Sequence, residues 1–345
     1  MATATTLTSL LEPFFSISLI GMSKNAGKTT VLNSLIRTYE SLEVPLGLTS
    51  IGLDGEDIDQ VTGSTKPRIF VPTGTLIATA SGLLEKSDLT KEIVKTTGIP
   101  TSLGEVVVAR ARNGGYVLLG GSPINSHIAE LCQAFAELGA AKVFVDGAFQ
   151  RRAVANPLVT EATVLCSGAA LHVDMARVVQ ETAYVATQLN LKPLADAALS
   201  KAMSQLPEGF GRVVAFSSAE SFQPLDLANP GLTAAPAHLY LRGALTDSVA
   251  AAVSDYLRQI AGDKPSCTLV VDDASKLLLG DSSWQRLMRT ALRIQVLRGT
   301  NLVAVAVNPT SPMGYCFPHD EFRREMQRQV GVPVLNVVEG GLAEC

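Results

Sequence analysis

The sequence predicts an α/β protein, a mostly parallel sheet with helices on both faces, followed by a second α/β domain. Three observations lead there. Apolar runs of strand length alternate with helix-length segments, and many of those runs are apolar without interruption, as strands buried on both faces are. At 345 residues the chain also has room for two domains of roughly 150 residues each.

"FFSISLIG" (14–21) is β-rich and apolar and reads as the first strand. From Lys28 to Tyr39, Val31, Leu32, Leu35 and Ile36 recur at helical spacing, which predicts a helix directly after the loop. "VPLGLTSIG", "RIFVPTGTLIATA", "GEVVVARA" and "GYVLLGG" read as further strands, and their clustering points to a β-rich excursion or a mixed edge. A helical pattern from Ser126 to Leu138, the strand "KVFVDGAF", the strand "TVLCSGA" and a helix from Met175 to Leu189 complete a first domain over 1–190. The stretch 191–212, "LKPLADAALSKAMSQLPEGFGR", carries no strand signal and reads as the linker. A second α/β domain, 213–345, is expected from "RVVAFSS", "HLYLRGALTD" with a helix to about Ile260, "CTLVVDDAS", "IQVLRG", "NLVAVAVNP" and "VPVLNVVEG". It has no second glycine loop.

The chain is 47% hydrophobic and 17% charged, enough apolar surface for packed cores. Its net charge is -4, from 28 basic and 32 acidic residues, without a long Lys/Arg run, so nucleic acid is not the expected partner. "MATATTLTSLLEPFF" lacks a basic n-region and a small-residue cleavage site; neither export nor a membrane is expected, and the cytoplasm is the expected location. Cys132, Cys166, Cys267, Cys316 and Cys345 are scattered with no C-x-x-C pair, and read mostly as small buried hydrophobes.

"GMSKNAGKTT" (21–30) carries the chemistry. It ends as a phosphate-binding loop does, although Gly21 stands one residue earlier than in G-x-x-x-x-G-K-[ST]. A polyphosphate is answered by backbone N–H groups, a helix N-terminus and one lysine. Here Gly27 allows the close approach, Lys28 reaches the β and γ phosphates, Thr29 offers its hydroxyl to Mg2+, Thr30 continues the helix, and Asn25 and Ala26 supply loop amides. A chance Gly-Lys-Thr at a helix start is the bland alternative; the preceding strand and following amphipathic helix argue against it. Such a site also needs an acid at a neighbouring strand end, and Asp146 in "KVFVDGA" is placed for the metal. The acidic loop "TSIGLDGEDID" (49–59) crowds Asp54, Glu56, Asp57 and Asp59. Asp54 is the choice for a catalytic role and Glu56 for the metal, against the alternative of a solvated acidic turn. Asp272 and Asp273 follow "TLVV" without a phosphate loop and read as caps or interface residues. Arg110, Arg112, Arg151 and Arg152 are read as solvated, and His127, His172, His238 and His319 have no nucleophile at a recognisable spacing.

The loop, with Gly21 early and Ala-Gly-Lys-Thr at its end, resembles those of dethiobiotin synthetase and the cobyrinate amidating enzymes, in the group that includes the partition and nitrogenase-iron-protein ATPases. That resemblance implies an ATP-like nucleotide and a possible homodimer; Lys24 is the one candidate for a lysine crossing to a partner subunit, and its spacing is off by one. Over about the first 180 residues, "IGMSKNAGKTTVLNSLI", "TSIGLDGEDIDQVTGSTKPRIFVPTGTLIATA", "VDGAFQRRAVANP" and "VLCSGAAL" resemble the lysine aminomutase reactivase small subunit. The likeness implies an ATP-hydrolysing P-loop protein that acts, with a second ATPase subunit, as a reactivase on a client enzyme, an adenosylcobalamin-dependent aminomutase. Its loop residues carry over to Gly21, Lys28 and Thr29 and its "DGA" motif to Asp146. The chain departs from it at Leu53 and at Phe149, Gln150 and Arg151, which fits a different client. An ATP-dependent ligase or kinase acting on a small carboxylate is the alternative function, and a nucleotide-binding regulator without hydrolysis is a third.

Overall fold

The computed structural model describes residues 6–52, 69–147, 159–228, 235–261, 267–289 and 292–336. It divides the chain into two compact units, one of residues 1–186 and 301–345, the other of 187–300.

In the first unit a short helix α1 (Leu7–Leu11) leads into β1 (Ser16–Gly21), α2 (Lys28–Ser41), β2 (Leu46–Ser50), β3 (Ile69–Val71), β4 (Leu76–Ala80) and α3 (Ser81–Glu85). Then come β5 (Lys91–Thr101), β6 (Gly104–Ala111), β7 (Gly115–Val117), α4 (Asn125–Glu137), β8 (Lys142–Asp146), β9 (Ala162–Gly168) and α5 (Met175–Leu189), whose last three residues already count with the second unit. The second unit holds α6 (Ala197–Ser204), β10 (Val213–Phe216), β11 (Phe222–Pro224), β12 (His238–Leu241), β13 (Leu245–Thr246), α7 (Asp247–Ala261), β14 (Thr268–Val271), β15 (Leu277–Leu278), α8 (Asp281–Met288) and β16 (Arg293–Val296). The chain then returns to the first unit with β17 (Leu302–Asn308), α9 (His319–Gln329) and β18 (Val334–Asn336).

The first unit is built on a nine-stranded sheet in the order β18-β17-β9-β1-β8-β2-β4-β6-β5. The pairs from β18 to β4 are all parallel, and β6 and β5 join antiparallel at one edge. β1 is central because both its faces are covered. Ile17 and Leu19 lie in one core with Val31, Leu32, Leu35 and Ile36 of α2. In a second core Ile128, Leu131 and Phe135 of α4 pack with Val143 and Val145, the strand neighbours of Phe144, which belongs to the first. Burying the four α2 side chains stabilises this layer by roughly 1.5–3 kcal/mol each. Ser18, buried on the strand, is satisfied by Thr163, with their hydroxyl oxygens 2.8 Å apart. Lys142 ties down the chain's entry to β1: its ammonium donates to the carbonyls of Leu11, Glu12 and Phe14 at 3.1, 2.6 and 2.5 Å.

The second unit has a five-stranded sheet, β11-β10-β12-β14-β16, in which β12, β14 and β16 run parallel and β10 and β11 pair antiparallel. Residues 191–212, expected as a linker, are part of this unit. Asp196 caps α6 by accepting from the Leu199 N–H, and Leu199, Met203 and Leu206 pack on Val214, Phe216, Tyr240 and Val270.

The expected second domain 213–345 is likewise corrected at its far end, because β17 pairs with β9, not with the second sheet. An apolar strand such as "LVAVAVN" is compatible with any buried position, and its sheet is set by long-range pairing that local pattern does not encode. The mixed edge is present, but it includes β5, a largely solvent-facing strand that the apolar runs do not announce. Among the described residues no helix is long and apolar enough to cross a membrane.

Candidate functional site

The parallel register brings four strand ends to one edge. Gly21 of β1 lies opposite Cys166 of β9, Leu19 opposite Asp146 of β8, and Gly168 of β9 opposite Asn308 of β17. Carboxyl ends of parallel strands are where open α/β sheets hold ligands, most of all where the strand order reverses. β1 is such a place, since the chain passes from β8 on one side of it to β9 on the other.

Between β1 and α2 the backbone makes a close turn. The Met22 N–H donates to the Cys166 carbonyl at 2.8 Å and the Ala26 N–H to Ser23 at 3.4 Å. Asn25 and Gly27 both have positive φ, 62° and 95°, a region open to asparagine and most readily to glycine. Gly27 is the N-cap of α2 and offers no side chain to its first N–H groups. Lys28 opens the helix, and its side chain folds back over the start of the loop: a Cβ on Gly21 would lie 2.7 Å from Lys28 Nζ. Ala26 and Gly27 are buried, Lys28 and Thr29 are half-buried, and Lys24, Asn25 and Thr30 are exposed. The turn therefore presents main-chain amides, one ammonium and the Thr29 hydroxyl at a helix N-terminus, a combination suited to a polyanion.

Asp146 ends β8, with its carbonyl accepting from the Ile51 N–H at 3.0 Å and the Ser50 hydroxyl at 3.2 Å. Its charge and that of Lys28 are both felt by Cys166. That thiol is pushed up to about 12, first by burial, with Lys28 pulling it down and Asp146 pushing it up. Lysine and carboxylate thus act on one buried group at the same sheet edge.

Asp54 and Glu56, with Asp57, Asp59, Leu53, Arg151 and Arg152, lie outside the described residues. Arg110 lies opposite Leu76, the first residue of β4, and donates to the Leu138 carbonyl at 3.2 Å, away from the carboxyl edge. Arg112 pairs with Glu92 on the surface. Asp273 accepts from the Ser275 N–H and caps a short 3-10 turn, while Asp272 accepts from the Tyr240 hydroxyl at 2.7 Å.

Asn308 and Ser122 at this edge were not anticipated from the sequence, and His127 was read there as without a partner nucleophile. Asn308 packs against the loop, where a Cβ on Gly27 would lie 2.9 Å from Asn308 Cβ, and its Oδ1 accepts from the Thr310 N–H at 3.1 Å. Its signal was a polar residue ending an apolar run. Ser122 Oγ and His127 Nδ1 stand 2.8 Å apart, and the Ser122 hydroxyl also accepts from the Ile124 N–H at 3.1 Å. Ser122 is joined to the end of β2 by its carbonyl, which accepts from the Gly52 N–H at 3.2 Å. Ser122 is buried, and its hydroxyl holds the N–H of Ile124, the N-cap of α4; spacing alone does not pair it with His127.

No family model, no curated protein and no solved structure matches this chain.

Proposed function

We propose that the chain binds ATP with Mg2+ at residues 21–30 in a P-loop NTPase-like arrangement, and hydrolyses it to drive a switch on a client enzyme. The observation that carries the reading is the return of Lys28 over Gly21, within a turn that also exposes the N-terminus of α2. In this reading the loop amides and Lys28 hold the phosphates. Thr29 and Asp146 fit the metal: one is a hydroxyl on the first turn of α2, the other a carboxylate on the adjacent strand end. When bound, Mg2+ neutralises phosphate charge and fixes the geometry of the transferred group.

The four stretches that resemble the lysine aminomutase reactivase small subunit support a client of the adenosylcobalamin-dependent aminomutase type, with a second ATPase subunit as co-worker. Releasing a tightly held cofactor needs a protein conformational change, and a nucleotide-driven switch supplies one.

The test is calorimetry of MgATP binding to the wild type and Lys28→Ala. Removing a charge-assisted contact of about 1.5–3 kcal/mol weakens binding by roughly tenfold or more. Unchanged affinity in Lys28→Ala would overturn the assignment. Turnover that starts only when a small carboxylic acid is added would move the reading to a ligase of the dethiobiotin synthetase type.

A further inference from the structure

Cys316 differs from the other described cysteines in its exposure. Cys132, Cys166 and Cys267 are buried, and burial pushes each thiol up to about 12. Cys316 is partly exposed and stands in no disulfide.

Its surroundings are fixed by a closed turn after β17. Thr310 and Cys316 form an antiparallel bridge, the Phe317 N–H donates to Pro309 at 3.0 Å, and the Ser311 N–H donates to Tyr315 at 2.9 Å. The Tyr315 hydroxyl anchors the turn by donating to the Ala169 carbonyl at 2.6 Å. This turn holds Cys316 Sγ 3.5 Å from His319 Nε2 and 3.7 Å from Thr310 Oγ1. A thiol beside an imidazole is the arrangement in which the sulfur gives up its proton as it attacks. His319 also begins α9, whose N-terminal end favours a developing anion, against the nearby charges of Asp320 and Glu321 in its first turn.

We propose that Cys316 is a nucleophilic thiol site, with His319 as its proton acceptor, open to soft carbon electrophiles of the α,β-unsaturated carbonyl class. In the reaction a bond forms between Sγ and the β-carbon. The carbon–carbon π pair moves into the carbonyl system as an enolate, and the thiol proton passes to His319 Nε2. His319 then returns that proton to the α-carbon, leaving a neutral imidazole, a thioether and no leaving group. The site does not depend on the nucleotide reading, but it borders that edge: Thr310, the bridge partner of Cys316, donates to Asn308, which packs on Gly27.

The test uses the full chain with N-ethylmaleimide in limiting amount at neutral pH, followed by peptide-resolved mass spectrometry. Cys345, which lies outside the described residues, is read on its own peptide. The expected result is modification of Cys316 at least about tenfold faster than of Cys132, Cys166 or Cys267, and a drop of roughly tenfold at Cys316 in His319→Gln. The three buried cysteines serve as the folding control, since an unfolded variant labels them rapidly; His319→Asn is the second variant if they do. A Cys316 rate no faster than that of the buried three in the wild type overturns the proposal. So does an unchanged Cys316 rate in a folded His319 variant.

Discussion

The ammonium of Lys28 comes back over the main chain of Gly21, so that a Cβ added at residue 21 would stand 2.7 Å from Nζ. The other near atoms are Cδ and Cγ of the same lysine, 3.2 Å away, so the methyl of Gly21→Ala meets only a flexible side chain. The fold has room to absorb it, whereas the ammonium has to move. Gly21→Ala is expected to leave the melting temperature within the range of a change of about 0.5 kcal/mol, yet to weaken MgATP binding roughly tenfold. Calorimetry and a thermal melt on the same sample check it; unaltered affinity would remove the lysine's position from the argument.

Gly27→Ala differs in kind, because two costs fall on the backbone. At φ 95° an L side chain is strained, by roughly 1–2 kcal/mol, and the new Cβ would also stand 2.9 Å from Asn308 Cβ. The expected outcome is a destabilisation of about 2 kcal/mol or more, read by urea unfolding. Adding Asn308→Gly removes the collision but not the strain, so the double variant recovers only part of the loss. Full recovery would show that φ was not limiting.

Ser122→Ala tests the unanticipated pair at the start of α4. The hydroxyl satisfies the Ile124 N–H and stands 2.8 Å from His127 Nδ1, so its removal leaves two part-buried groups without that partner. A loss of about 0.5–1.5 kcal/mol in urea unfolding is expected. Ser122→Thr, which keeps the hydroxyl, is expected to lose less unless its added methyl cannot be packed.

How much of this was legible in the sequence follows from the range of the forces involved. α2 and α5 were readable because Val31, Leu32, Leu35 and Ile36, and the pattern from Met175 to Leu189, record helical burial locally. The loop was readable because Gly27, Lys28 and Thr29 are contiguous. Asn308 was not, since 281 positions in the chain separate it from Gly27 and only the pairing of β17 with β9 brings them together. The same pairing undid the expected domain boundary. β5 escaped because its exposed, polar face lacks the apolar run by which the other strands were found, and α6 because Asp196 and Leu199 look like linker until Val214 and Phe216 are opposite them.

Alkaline pH offers a last test, of the core beneath the site. Cys132 and Cys166 both have thiols pushed up to about 12 from an ordinary value of 9.0, chiefly by burial. In the unfolded chain each releases its proton near the ordinary value, while the folded chain keeps it, so above that pH the unfolded state binds fewer protons and gains. Their stabilisation is therefore complete below about pH 9 and is lost as pH rises from there toward 12, at roughly 1.4 kcal/mol per pH unit for each thiol. Cys132→Ala and Cys166→Ala each lose some packing at neutral pH, yet each is expected to show a shallower fall between pH 9 and 11. Urea unfolding should be followed by far-UV circular dichroism, because the single tryptophan, Trp284, sits in α8 and reports the second unit. Parallel curves for wild type and variants over that range would show that these thiols do not hold their protons in the folded state.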